Sequence, residues 1–297
     1  MIITGKKFSK PEMSRVINGD RVLSSAEEKP EKIRLDLLLV EKFPNYNRSS
    51  LQTFIEKGFV KVDGKIVKKA NLKFEKSVEL SLEIPEEFKK RKIKRPPVIF
   101  EDGNVLVLDK PAGLLSMAKG EICPEPTLED FGLLVHRLDR DTSGVVILAK
   151  NSETQKSLRK QFQDRKTHKT YVAVVEGSPK LDEALIDLPI ARNLNHPTTF
   201  KVDPNGKEAK TLYKVLKRNE KYSLLELKPV TGRTHQLRVH LKYLGTPILG
   251  DRVYGSAKSD SKTRLYLHAK SLEITIPNGD RRVFESKVPE EFENVFR

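Results

Sequence analysis

A single carboxylate between two arginines is the part of the sequence best suited to carry chemistry. Asp139 lies between Arg137 and Arg140, and the small polar residues at 142–144 favour a tight turn directly after it. The apolar run at 145–149 then predicts a buried strand. By itself such an acid more often belongs to a solvated surface loop, because loops are where charged residues normally lie. The pattern therefore predicts a charged carboxylate on a loop that the core anchors, and it leaves the function of that carboxylate open.

The segment 136–144, His-Arg-Leu-Asp-Arg-Asp-Thr-Ser-Gly, closely resembles the signature of the RluA family of pseudouridine synthases. Other segments resemble further motifs of that family and follow in the family's order across roughly residues 98–290. They are the strand and Pro/Gly turn at 105–113, Lys169-Thr170-Tyr171, the run at 232–241, the segment at 245–251 and Leu267-His268-Ala269. An ordered series of this kind is much stronger evidence than one motif alone.

The resemblance implies three catalytic residues. Asp139 matches the family's nucleophilic aspartate, whereas Asp141 shares a face with it in extended backbone and is expected to brace the turn. Arg238 matches the active-site arginine, whose guanidinium can give two parallel donors to one carboxylate. Arg233 is the alternative partner, although we expect it to contact a phosphate. Tyr171 matches the tyrosine that stacks on the uracil.

The reaction implied by the resemblance requires the target uridine to leave its stack. Arg137 resembles the family residue that wedges into the RNA, and His136 is expected to bind RNA or to hydrogen-bond its own loop. His235 is also assigned to RNA binding. Isomerisation needs no cofactor and no metal, and the spacing of His235 and His240 is poor for ligands on one helix face. The sequence leaves open whether Asp139 attacks the ribose, attacks the uracil or removes a sugar proton.

Residues 31–85 resemble the S-four type RNA-binding domain, which is named for a ribosomal protein. Apolar residues from Ile33 onwards predict one helix, and serines at 49–50 favour the start of a second, which Gly58 would end. The alternating residues 59–67 predict a hairpin around Asp63-Gly64. We expect basic side chains of this module to contact phosphates, chief among them Arg34, Arg48 and Lys61.

The remaining boundaries follow from composition. Residues 1–30 are polar and aperiodic and predict a mobile extension, and the basic run 86–97 with its two prolines predicts a linker. Residues 98–297 then form the catalytic domain. Strands joined by short links outnumber helices there, and a helix is predicted to begin with a cap at Ser152. The fold class is therefore α+β, with a mixed, mostly antiparallel sheet and flanking helices.

Composition agrees with an RNA partner. The chain has 297 residues, 56 Lys and Arg against 41 Asp and Glu, and a formal net charge of +15, an excess that attracts polyanions. Cys123 is alone, which excludes an intramolecular disulfide, and no apolar run is long enough to cross a bilayer. We expect a cytoplasmic monomer. By analogy with other enzymes that carry the appended RNA-binding module, we expect it to act on large-subunit ribosomal RNA. A transfer RNA target and a non-catalytic RNA-binding or ribosome-assembly factor are the alternatives.

Overall fold

The computed structural model describes residues 3–4, 32–44, 46–86, 93–118, 125–255 and 263–297. The chain divides into two compact units. The first comprises Met1–Arg91 with Ala118–Glu125, and the second comprises Lys92–Met117 with Pro126–Arg297. Most of the predicted extension 1–30, half of the predicted linker 86–97 and Cys123 lie outside the described residues.

The first unit is a small α/β module built on two helices, α1 at Leu35–Lys42 and α2 at Arg48–Glu56. Its apolar core joins both helices to the strands that follow them. Short strands complete the module: β1 Ile3–Thr4, β2 Lys32–Arg34, β3 Val60–Val62, β4 Lys65–Ile66, β5 Lys73–Glu75 and β6 Leu80–Leu82. They pair in the order β1-β6-β3-β4, with β2 and β5 paired separately.

The turn between β3 and β4 lies at the predicted position. Asp63 and Gly64 have φ values of 47° and 76°, and positive φ at both central residues matches the right-handed twist of a hairpin. The two residues therefore explain why a pair of strands forms here.

The second unit contains a sheet in which ten strands pair within the described residues, in the order β12-β15-β16-β11-β17-β10-β8-β7, with β9 beside β10 and β18 beside β17. Its strands are β7 Val98–Glu101, β8 Val105–Lys110, β9 Leu133–Leu134, β10 Ser143–Ala149, β11 His168–Glu176, β12 Glu183–Asp187, β15 Lys210–Arg218, β16 Tyr222–Pro229, β17 Leu267–Thr275 and β18 Arg281–Glu285. A separate hairpin pairs β13 Ile190–Arg192 with β14 Phe200–Val202. Only β10 and β17 run parallel in this sheet as described. The predicted α+β class with a mostly antiparallel sheet is confirmed.

In the described part of the second unit three α-helices accompany this sheet: α3 Ser152–Gln163, α4 Gln236–Tyr243 and α5 Glu290–Asn294. The serine caps predicted for α2 and α3 are wrong, because the caps are Asn47, which lies before the serines at 49–50, and Asn151, which lies directly before Ser152. Asn47 accepts a hydrogen bond from Ser50 N–H at 2.8 Å, and Asn151 accepts one from Thr154 N–H at 2.9 Å. Both asparagines have extended backbone, which places the side-chain oxygen over the first free N–H groups.

The parallel pair β10 and β17 is short and lies at the middle of the sheet. Only Ser143 with His268 and Gly144 with Ala269 are paired. Beyond them the two strands diverge around apolar side chains that include Val145, and α3 contributes Leu158 to the same core. The loop that precedes β10 therefore ends where the strands from β12 to β17 meet those from β10 to β7.

Candidate active site

The backbone on both sides of Asp139 is fixed by hydrogen bonds. The Ser116 hydroxyl donates to Leu138 O at 2.7 Å and accepts from Leu138 N–H at 3.1 Å. On the other side, Gly113 N–H donates to Arg140 O at 2.9 Å. Leu138 is itself buried in the core. The carboxylate of Asp139 therefore extends from a loop whose neighbouring peptide groups have little freedom.

Lys110 is the second anchor of this loop. Its side chain is fully buried, and Nζ donates to Pro111 O at 3.0 Å, Leu114 O at 2.7 Å and Arg140 O at 2.7 Å. Burial lowers the pKa of Lys110 to about 7. An ammonium group has three N–H donors, so three carbonyl acceptors match its charged form. The lysine thus connects the turn after β8 to the loop that carries Asp139.

Asp139 and Asp251 share the guanidinium of Arg238. Arg238 Nη1 lies 3.1 Å from Asp139 Oδ2, while Nε and Nη2 lie 2.7 and 2.8 Å from the two oxygens of Asp251. The side chain of Asp251 is 0% exposed and that of Arg238 is 9% exposed, against 20% for Asp139. Arg238 is therefore held in a bidentate pair by the buried acid and offers its third nitrogen, Nη1, to the acid that faces solvent.

Arg238 and Asp251 stabilise each other's ionised forms. Burial acts to raise the pKa of Asp251, but Arg238 and the N–H groups of Val253 and Tyr254 outweigh it and hold that pKa below its usual range. Burial acts to lower the pKa of Arg238, and the two carboxylates more than reverse that effect. The guanidinium and the buried carboxylate therefore remain a charged pair across the physiological pH range.

A cavity of about 500 Å³ opens in front of Asp139, and Tyr171, Lys169 and Leu267 line it. Burial and the charge of Asp139 raise the pKa of Tyr171, so its hydroxyl stays protonated. Burial also lowers the pKa of Lys169. The cavity lining thus contains one carboxylate, an aromatic ring, an apolar side chain and several cationic side chains. Such a lining suits an anionic ligand with a planar base.

His235, the residue directly before α4, also lies near Asp139. Its Nε2 is 3.9 Å from Asp139 Oδ1, and its Nδ1 is 2.8 Å from the hydroxyl of Tyr254. The same hydroxyl accepts a hydrogen bond from Phe200 N–H at 2.9 Å. His235 has φ 55° and ψ 18°, a left-handed conformation that is uncommon for residues other than glycine.

The structure brings the remaining predicted site residues of the second unit to the same cavity. Arg137 is exposed at the rim, where Nη1 lies 3.5 Å from Met117 Sδ. Arg233 is exposed and donates from Nε to Glu208 O at 2.9 Å. Asp141 is exposed but does not line the cavity.

His136 also borders this cavity, but its ring is engaged within the protein. Its Nε2 accepts a hydrogen bond from Ile147 N–H at 3.2 Å, and the ring stacks on Phe162 with centroids 4.6 Å apart. Burial, together with the charge of Lys169, lowers the pKa of His136 to about 3. The neutral ring therefore connects the loop before β10 to that strand, and the RNA contact of His136 remains a prediction.

The three basic residues predicted to bind RNA in the first unit are all paired with acids. Arg34 and Arg48 both donate to the buried carboxylate of Asp36, with distances of 2.9 to 3.0 Å. Lys61 donates to both oxygens of Glu83 at 2.8 and 2.9 Å. Each cation keeps a side-chain exposure between 33 and 49%, so phosphate contacts by these residues remain a prediction.

Sequence reasoning did not identify Asp251, Tyr254 or Lys169 as parts of the site. Asp251 lies in the segment 245–251, which resembles a family motif, but nothing in its spacing indicates Arg238 as its partner. Lys169 precedes Tyr171 by two residues in a strand, and this period-2 spacing could have indicated a shared face.

Within the described parts of the chain, no group of three or more His, Cys, Asp or Glu side chains is placed to hold a metal ion. Among the described helices, none combines the length and hydropathy needed to cross a membrane.

Comparison with known proteins identifies both units. A family model described as RNA pseudouridylate synthase matches residues 104–243, and an S4 domain model matches residues 33–80. Ribosomal large subunit pseudouridine synthase D of Borreliella burgdorferi is 39% identical over 298 residues, which cover 92% of this chain and 91% of that protein. An uncharacterised RNA pseudouridine synthase of Aquifex aeolicus is 37% identical over 295 residues, with 90% and 93% covered.

A solved structure agrees with these sequence matches. Human RNA Pseudouridylate Synthase Domain Containing 1 superposes with a TM-score of 0.59 and 27% identity, and the match covers 67% of this chain and 86% of the human chain. The chain therefore belongs to the RluA-type RNA pseudouridine synthases, which are isomerases, and it carries an N-terminal S4 domain.

Proposed function

We propose that this pseudouridine synthase isomerises specific uridines of large-subunit ribosomal RNA, with Asp139 as the reacting carboxylate and without a metal or cofactor. The observation that carries the proposal is the position of Asp139 in the cavity, 3.1 Å from Arg238 and beside Tyr171. Relatives from several organisms bear the name ribosomal large subunit pseudouridine synthase D, which supports a ribosomal target in the cytoplasm.

The reaction breaks the bond between uracil N1 and ribose C1′ and forms a bond between uracil C5 and C1′. The proton on C5 leaves and N1 gains one, so the product is an isomer of the substrate. Asp139 can start this sequence by attack on C1′, by attack on the uracil ring or by removal of a sugar proton. Each route needs a carboxylate that is ionised and held in a fixed orientation. The charged N–H donor of Arg238 favours the ionised form and also orients it.

The cavity also suits a base that has left its stack. Tyr171 and Leu267 give it a flat, apolar side, and Asp139 faces solvent through the open mouth. Arg137 is exposed at the rim, and its planar head can take the place of the flipped base. Unstacking costs a few kcal/mol, which contacts of the RNA with the surrounding cations can offset.

Release of tritium from RNA labelled at uracil C5 measures this reaction, because formation of the C5–C1′ bond displaces that hydrogen. We expect Asp139→Asn to abolish release while RNA binding persists. Asp141→Asn is the matched control, since that residue has the same chemistry two positions on but lies outside the cavity. Release by the Asp139 variant near the wild-type rate would show that another group reacts.

The choice of RNA is tested separately by mapping pseudouridine across all cellular RNA in cells that lack the gene. We expect modification to disappear at uridines of the large ribosomal subunit and to return with the wild-type gene but not with Asp139→Asn. Loss confined to transfer RNA would overturn the ribosomal assignment and leave the chemistry intact.

A further inference from the structure

The segment Asp251–Gly255 contacts both groups that face Asp139. Its first residue holds Arg238 through the two short hydrogen bonds described above, and its fourth residue, Tyr254, bonds to His235. The segment is itself rigid, because Asp251 Oδ1 accepts from Val253 N–H and Tyr254 N–H, each at 2.9 Å, and Gly255 N–H donates to Asp251 O at 2.8 Å.

The packing of this segment leaves little room for movement. A Cβ on Gly250 would lie 1.9 Å from Arg264 O, so the residue before Asp251 must be glycine in this conformation, with φ of 74°. The ring of Tyr254 is buried and lies 5.0 Å beneath the guanidinium carbon of Arg238. The carboxylate and the phenol are thus held as one unit against the partners of Asp139.

The hydrogen bonds of Tyr254 determine which nitrogen of His235 carries the proton. Phe200 N–H donates to the phenol oxygen at 2.9 Å, so this oxygen already acts as an acceptor. Within the described residues, the acceptor within reach of the phenol hydrogen is His235 Nδ1 at 2.8 Å. A ring nitrogen that accepts must be unprotonated, so in the neutral ring the proton lies on Nε2.

His235 Nε2–H then points towards Asp139. Burial lowers the pKa of His235, whereas the charge of Asp139 acts in the opposite direction, and Arg238, Asp251 and Arg137 also contribute. The separation of 3.9 Å from Asp139 Oδ1 is too long for a hydrogen bond. A uridine bound in the cavity beside Asp139 therefore meets an N–H donor from His235 close to the carboxylate.

We propose that Asp251–Gly255 is the positioning element of this active site: Asp251 fixes Arg238, and Tyr254 fixes His235 with its proton on Nε2, so that both residues present N–H donors towards Asp139 and the uridine beside it. The inference rests on the proposed role of Asp139. It adds Tyr254 and Asp251 as positioning residues, neither of which is required to touch the substrate.

Tyr254→Phe tests this inference in the full-length protein, because phenylalanine keeps the ring under Arg238 and removes only the hydroxyl. Tyr213→Phe is the control, since Tyr213 is also buried but donates to Leu181 O at 3.1 Å in the core beneath β12 and β15. Nitrogen-15 NMR of labelled histidine reports the tautomer, and loss of one signal in His235→Gln assigns it.

We expect wild type and Tyr213→Phe to show an unprotonated Nδ1 and a protonated Nε2 at His235, and Tyr254→Phe to show a mixture of tautomers. Turnover at saturating RNA should fall about tenfold in Tyr254→Phe, as for one lost hydrogen bond in the transition state, with KM unchanged. Two results overturn the inference. One is a proton on Nδ1 of His235 in the wild type, and the other is a Tyr254→Phe variant in which the tautomer changes without turnover or turnover changes without the tautomer.

Asp251→Asn provides a second measurement that does not depend on His235. We expect it to reduce turnover and to leave the His235 tautomer unchanged, because the amide disturbs Arg238 and not the phenol. Wild-type turnover in Asp251→Asn would overturn the role assigned to the carboxylate. If the proposed function itself is wrong, Asp139→Asn will release tritium. That result is distinguishable from both outcomes above.

Discussion

At the scale of single residues, the site depends on how one guanidinium is divided between two acids. Asp251 is fully buried and takes two N–H groups of Arg238, and Asp139 receives the third contact. A lysine has the same charge but a single nitrogen, so it cannot reach both carboxylates in this geometry.

Replacement of Arg238 by lysine should therefore affect both activity and stability. We expect turnover to fall roughly 100-fold because Asp139 loses its orienting partner. The free energy of unfolding should fall by about 1–3 kcal/mol, since donors to the buried Asp251 are lost. Single-turnover kinetics and chemical denaturation measure the two effects, and turnover near that of the wild type would contradict the assigned partnership.

His136 makes the stability of the protein depend on pH. Its folded pKa of about 3 lies below the reference value of 6.5, so the unfolded chain binds more protons between these two values. Stability from the neutral ring is present above pH 6.5 and is lost as the pH falls towards 3. We expect the free energy of unfolding of His136→Gln to decline less steeply over this window than that of wild type.

The control for this experiment is His196→Gln, which changes an exposed histidine in the loop between β13 and β14. Its slope against pH should match that of the wild type. Identical slopes for wild type and His136→Gln would show that the ring of His136 does not need to be neutral in the fold.

At the scale of elements, the sequence predicted the parts of the fold that local patterns determine. The strand at 145–149 and the hairpin at Asp63-Gly64 are determined by residues adjacent in sequence, and both are present. The caps of α2 and α3 were misassigned because Asn and Ser have similar preferences at that position. Asp251 was missed because its pairing with Arg238 depends on how distant segments fold together.

Substitution of Gly144 tests the packing between two strands, because this glycine permits the close approach of β10 to β17. Its φ is 109°, and a Cβ there would lie 2.2 Å from Ala269 O. We expect Gly144→Ala to lower the free energy of unfolding by about 3 kcal/mol and to reduce turnover, because strain at this junction displaces the Asp139 loop. Thermal unfolding checks the first effect and tritium release the second.

Gly103→Ala is the matched control for this substitution, since nothing lies within 4 Å of a Cβ at Gly103. We expect its unfolding temperature and activity to stay close to those of the wild type. Equal effects of the two substitutions would contradict the idea that close packing at the junction matters.

At the scale of the whole molecule, positive charge and chemistry are carried by different residues. The site cluster of Asp139, Arg238 and Asp251 has a net charge of about −1, counting each as ionised, while the chain as a whole carries +15. Attraction to RNA therefore comes from cations outside this cluster, both in the cavity lining and in the rest of the chain. Exposed lysines of the S4 domain near its hairpin are candidates: Lys65, Lys68 and Lys69.

Replacement of these three lysines by glutamine in the full-length chain should weaken RNA binding and reduce its dependence on salt. Each phosphate contact that is lost lowers the slope of log affinity against log salt by roughly 0.7 to 0.9. Turnover at saturating RNA should stay unchanged. Binding measured across a range of salt concentrations checks the slope, and an unchanged slope would mean that these lysines do not contact phosphates.

The position of β17 also has a consequence for the order in which the enzyme becomes competent during its synthesis. Asp139 precedes β10 in one half of the sheet, whereas Tyr171 lies on β11 in the other half, and β17 at Leu267–Thr275 joins the two halves. A nascent chain that has emerged only as far as Arg238 already contains all three proposed catalytic side chains. It still lacks the strand that brings them together, so activity can appear only after β17 has been synthesised and has paired with β10 and β11.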